Sequence, residues 1–96
     1  MLSVNDRSKI VELADKYQVN RIILFGSGAS PEQRGNDIDL AVEGIAPKKF
    51  FEFYGELFFS LSQPVDLIDI SNNKSKFSNL ILRDGIIIYD RVKGQD

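Results

Sequence analysis

A chain of 96 residues, 43% of them hydrophobic, suffices for one domain with a modest core. Twelve Lys and Arg against 14 Asp and Glu leave a net charge of −2, without the basic footprint of duplex binders, so nucleic acid is not expected as the main partner. Cysteine and histidine are both absent, which removes disulfides, thiolate zinc sites, Ser-His-Asp triads and histidine bases; acid–base chemistry falls to carboxylates, lysine, tyrosine or water.

The N-terminus carries no basic segment followed by an apolar stretch, and no apolar run approaches the ~20 residues of a membrane span. A cytoplasmic protein is expected. No repeat, linker or low-complexity run divides the chain, so residues 1–96 read as a single domain, with 91–96 a frayed tail.

Taken in order, Ser3 with Asp6 resembles a capping box, and Ile10, Leu13, Ala14 and Tyr17 follow at helical spacing to the vicinity of Gln18. Arg21 to Phe25 is apolar on both faces and predicts an interior strand. It stops at Gly26-Ser27, where a polar loop begins and runs to Asn36. Within the loop, Ser30-Pro31-Glu32 has the residues of a helix start. Asp37 to Val42 is the second strand. Glycine lets the backbone turn and its N–H groups approach an anion, so Gly26 and Ser27 suit a phosphate.

Alternation along the second strand puts Asp37 and Asp39 on one side and Ile38, Leu40 and Val42 on the other. Two carboxylates held together repel unless a cation lies between them, and oxygen-only ligands favour Mg²⁺ or Mn²⁺.

Pro47 opens a helix from Lys48 to Leu61, with Phe50, Tyr54, Leu57, Phe58 and Leu61 as its expected core stripe and Phe51, Phe53 and Phe59 at other angles. That aromatic surplus suggests a protein contact in addition to a core. Pro64 to Ile70 is the third strand, with Asp66 sharing a side with Ile68 and Ile70 while Asp69 points away as a strand-end acid. If this strand neighbours the second, the ~4.8 Å strand spacing brings Asp66 within reach of a metal on Asp37 and Asp39. Phe77, Leu80 and Ile81 give a short amphipathic helix ended by Asp84-Gly85, and Ile86 to Tyr89 forms the last strand. The pattern is an α/β (α+β) two-layer domain: a mixed sheet of about four strands, helices on one face and the acids on the open face.

The run Leu24-Phe25-Gly26-Ser27, a loop, then Asp37-Ile38-Asp39 resembles the minimal nucleotidyltransferases of the DNA polymerase beta-like superfamily. Asp66 falls where that family carries its third acid, and the similarity extends over roughly Leu13 to Tyr89. Two features depart from the pattern. After Gly-Ser this chain reads Gly28-Ala29-Ser30-Pro31, without the family's usual arginine, and the loop is shorter. Arg34 lies in the same loop as a substitute.

The resemblance implies a polymerase beta-like fold, ATP as donor, and two Mg²⁺ ions held by Asp37, Asp39 and Asp66, with Gly26, Ser27 and Arg34 on the phosphates. Domains of this size resemble the antitoxins paired with HEPN-type ribonuclease toxins. On that resemblance the chain moves AMP onto a tyrosine of the toxin. The residues leave two other readings open: a partner-occluding protein with weakened chemistry, and transfer to a small aminoglycoside-like acceptor in a homo-oligomer that completes the pocket.

Overall fold

The computed structural model describes residues 2–26, 37–71 and 76–91. Its elements run α1 (Val4–Lys16), β1 (Arg21–Phe25), β2 (Ile38–Glu43), a 3-10 turn (Pro47–Lys49), α2 (Phe50–Ser60), β3 (Val65–Asp69), α3 (Lys76–Asp84) and β4 (Ile86–Asp90). The strands form one four-stranded sheet in the order β3-β2-β1-β4. β1 pairs antiparallel with β2 and with β4, whereas β2 and β3 are parallel, joined by α2 as the crossover. The mixed sheet and the α+β class are as the sequence predicts. Among the described residues no helix is long and apolar enough to cross a membrane.

Period-two alternation sorts the strand residues onto two faces. Ile22, Leu24, Leu40, Val42, Val65 and Leu67 join the main core with Ile10 and Leu13 of α1 and Phe53 and Leu57 of α2. Ile23, Ala41 and Ile70 face the other way and pack with Ile81 of α3. The expectation of helices on a single face therefore holds for α1 and α2, while α3 covers part of the second face, over β1. Its route is fixed by Gly85: a Cβ there would run into the Ile23 side chain and lie 2.6 Å from the Ile81 carbonyl oxygen. Only a glycine lets the end of α3 approach the sheet so closely.

Helix α1 begins as predicted at Ser3, whose Oγ accepts a 3.0 Å hydrogen bond from the Asp6 N–H. The Asp6 carboxylate turns to Ser62 after α2, accepting from its N–H at 3.1 Å and its hydroxyl at 2.6 Å. These bonds satisfy a carboxylate that is buried. At the other end Lys16 donates to both Glu56 oxygens, at 2.8 and 3.1 Å, and the Tyr17 hydroxyl also donates to Glu56.

On α2 the core stripe differs from the one read in the sequence. Phe53 is fully buried together with Leu57, Phe50 and Tyr54 are half-buried, and Phe58 is exposed with Phe51 and Phe59. The stripe is rotated because α2 packs on α1, where Phe53 meets Tyr17 at 5.3 Å between ring centroids. The tail also differs at its first residue. Arg91 is pinned by its N–H to the Asn20 carbonyl at 2.9 Å and by its guanidinium to Val19 O and Asn20 Oδ1; residues 92–96 lie outside the described residues.

Candidate active site

The corner where β1, β2 and β3 end together is built by register. Phe25 stands opposite Asp39 across the β1–β2 pair, and Asp39 stands opposite Asp66 across the parallel β2–β3 pair. Asp39 shares its face with Ala41, and Asp66 with Ile68 and Ile70, which is the face of α3. Two carboxylates from separate strands are thus side by side, one strand spacing of ~4.8 Å apart at the backbone. Asp66 is exposed and Asp39 partly exposed, so neither carries the full cost of burying a charge. Asp37 sits just before β2, also exposed. Asp69 points to the other face, as predicted, and accepts hydrogen bonds from the Ser71 N–H and hydroxyl at 2.9 and 2.5 Å.

Gly26 closes the corner. Its φ of +69° is strained for any side chain, and a Cβ built on it would lie 2.5 Å from Asp39 Oδ2. The space that a side chain would fill is taken by a carboxylate oxygen. The glycine therefore does more than turn the chain: it brings a strand-end backbone against the Asp39 carboxylate. Ser27, Arg34 and the Ser30-Pro31-Glu32 segment lie outside the described residues.

The three-carboxylate metal centre expected from the sequence is not assembled in this arrangement. Among the described residues no group of three or more His, Cys, Asp or Glu side chains is placed to hold a metal ion. The donor set still fits Mg²⁺ in kind, being oxygen throughout, with two carboxylates in register.

Beside this corner, between β1 and α3, lies a groove of about 380 Å³. Gly26 and Gly85 contribute backbone to its lining, Phe25, Phe77 and Ile81 contribute apolar walls, and Asp84 is its polar side chain. Phe25 and Phe77 meet edge to face, with centroids 6.1 Å apart. Asp84 accepts from Arg83 Nε at 2.9 Å and Nη2 at 3.1 Å, and these hydrogen bonds hold its carboxyl below the usual range. In the sequence Phe77 reads as part of an amphipathic helix and Gly85 as its stop; the groove they form with Phe25 and Gly26 joins residues far apart in the chain, and no local pattern signals it.

The sequence profile described as polymerase beta, nucleotidyltransferase matches residues 8–93. The chain belongs to this nucleotidyltransferase family. Solved structures place it further among nucleotidyltransferase folds. A toxin–antitoxin complex with AMP-PNP contains a chain of 25% identity, TM-score 0.70, matched over 92% of this chain and 76% of that one. A mutant complex of the antitoxin MntA with its toxin gives 23% identity and a TM-score of 0.71 over 92% and 76%. A tri-AMPylated HEPN toxin from Shewanella oneidensis in complex with its MNT antitoxin gives 22% identity and a TM-score of 0.66 over 94% and 74%. Among curated proteins no sequence match is found.

Proposed function

We propose that this nucleotidyltransferase domain moves AMP from ATP onto a tyrosine hydroxyl of a HEPN-type ribonuclease toxin, and so acts as the antitoxin of a pair. The observation that carries the reading is the alignment of Asp39 with Asp66 beside Gly26, at the end of an apolar strand. The likeness to chains of two toxin–antitoxin complexes, one with AMP-PNP and one with an AMPylated HEPN toxin, supports ATP as the donor and a HEPN toxin as the partner.

Asp37, Asp39 and Asp66 would hold two Mg²⁺ ions, which when bound lower the pKa of an attacking hydroxyl and neutralise a leaving pyrophosphate. The chain's own residues do the rest. Gly26 and Ser27 would grip the β- and γ-phosphates, with Arg34 of the same loop in sequence supplying a cation in place of the family's usual arginine. Asp66, in a chain without histidine, accepts the proton of the tyrosine hydroxyl. The tyrosine oxygen forms a bond to the α-phosphorus, the bond from that phosphorus to the bridging oxygen breaks, and the electron pair leaves with pyrophosphate.

Label transfer from α-³²P-ATP with Mg²⁺ tests the proposal, using the protein co-purified with its toxin and an Asp37→Asn/Asp39→Asn control. A labelled toxin band that disappears in the control is expected. Absence of a band in the wild-type complex would overturn the transfer reading. The second reading, a protein that silences its partner by occlusion, is favoured by the altered Gly28-Ala29-Ser30-Pro31 segment. Calorimetry with Mg²⁺ and AMP-PNP separates the two, since occlusion needs no nucleotide.

A further inference from the structure

We infer that the outward face of α2 is a self-association surface, on which a second copy of this chain packs its own α2 antiparallel across a two-fold axis at Gly55. The inference stands apart from the nucleotide reading. It concerns the aromatic surplus of α2, which neither the core nor the carboxylate corner absorbs.

Helical geometry puts Gly55 on the far side of α2 from Phe53 and Leu57, the two residues that the helix buries. Phe51 and Phe59 lie about one turn to either side of Gly55, so the three form one outward stripe. Both rings are open to solvent, at 79% and 86%, and Phe58 adjoins them at 59%. Among the described residues a Cβ at Gly55 would meet nothing within 4 Å. A glycine inside an exposed helix costs stability relative to alanine, and packing within the described chain does not require it. The close approach of another backbone would.

The stripe is complementary to itself. A two-fold axis at Gly55 sets Phe51 of each helix opposite Phe59 of the other, and the two glycines let the helices come together between the ring pairs. A groove of about 430 Å³ runs along the stripe, lined by Tyr17, Phe51, Gly55 and Phe59, with room for a partner's ring. Phe51 meets Phe50, and Phe59 meets Phe58, edge to face at 5.3 Å, so the rings are positioned before a partner arrives. The bordering acids are paired within the chain, Glu52 with Lys49 at 3.7 Å and Glu56 with Lys16 at 2.8 Å, so two copies meet without uncompensated like charge.

The area is sufficient. At ~200 Å² per aromatic side chain, the three rings expose on the order of 450 Å², more than half of the ~800 Å² that each partner gives to a standard interface. An acceptor must reach Asp39 and Asp66 on the other face of the sheet, which leaves this face to a second copy. Two chains joined through α2 stand back to back, each with its carboxylate corner open.

Sedimentation equilibrium of the chain without toxin, over micromolar concentrations, tests the inference on wild type, Phe59→Ser and Gly55→Gln. Wild type is expected to populate a dimer. Each variant is expected to raise the dimer dissociation constant by about thirtyfold or more, the scale of losing an aromatic anchor. Gly55→Gln places a better helix former where there is room for one, so at dilutions where the chain is monomeric its Tm should be equal or higher. A lost dimer in that variant then reports the interface and not the fold. Wild type that stays monomeric throughout, or a dimer that either variant leaves intact, overturns the inference. Monomeric wild type whose binding to the toxin is weakened by both variants overturns it too, and gives the face to the toxin.

Discussion

The two faces of this sheet are built to different standards. Against α1 and α2 the strands present a continuous layer in which Ile10, Ile22, Leu40, Phe53 and Leu57 are fully buried. Against α3 they present a small cluster around Ile23, Ala41, Ile70 and Ile81, and the remainder of that face carries Asp39 and Asp66. Stability is concentrated where there is no chemistry. The thin face keeps its carboxylates near water, where charge is cheap to hold, and leaves room beside them for a ligand.

The sharpest way to break that contrast is to remove one large side chain from each face. Phe53→Ala should cost ~3–5 kcal/mol, enough to unfold much of a small domain, whereas Ile81→Ala should sit near the lower end of the ~2–5 kcal/mol range for aliphatic truncations. Urea unfolding of the two variants checks this; equal losses would show that the α3 cluster matters as much as the main core. Gly26→Ala probes the join between stability and chemistry. A left-handed backbone conformation with a side chain costs of order 1–3 kcal/mol, and the added Cβ also displaces the Asp39 carboxylate. Loss of toxin labelling with only a modest fall in Tm is expected. Retained labelling would mean that Asp39 does not need its place against Gly26.

The smallest effect lies on the stable face and is read by pH. The hydrogen bond to Glu56, with burial and the charges of Glu56 and Glu52 adding to it, raises the Tyr17 hydroxyl from 10.0 to about 12. A raised folded-state pKa means that this contact stabilises fully below pH 10 and is lost as pH climbs toward 12. Wild type should lose stability across that window more steeply than Tyr17→Phe. In absorbance titrations the latest tyrosinate phase should vanish in Tyr17→Phe and move to lower pH in Glu56→Gln.

Much of this organisation was legible in the chain because strand parity is rigid. Asp37, Asp39 and Asp66 could be assigned sides from alternation with Ile38, Leu40 and Leu67, and the structure keeps Asp39 and Asp66 on those sides, in register. The helices were less legible. In Phe50-Phe51-Glu52-Phe53-Tyr54, aromatic residues occupy so many angles that periodicity alone cannot fix which ones turn inward. The crossing with α1 decides, and it selects Phe53 over Phe58. Which sheet face receives α3 was equally hidden, because it follows from the close approach at Gly85. Arg91 read as a tail because its partners, Val19 and Asn20, are distant in sequence.

The placement of β4 has a consequence for how the molecule is made. β1 and β2 are sequential and pair as neighbours, but the second side of β1 is occupied by the last strand, with Ile86 opposite Leu24 and Asp90 opposite Arg21. During synthesis, therefore, the strand that leads into the Gly26 corner emerges early and keeps an open edge until residues 86–90 have been translated. Pairings of such long sequence separation form late, because loop closure must be completed before they return any stabilisation. A chain interrupted before Ile86 would retain both aspartate-bearing strands and still expose an unpaired, apolar β1 edge, the kind of surface on which nascent chains associate with one another.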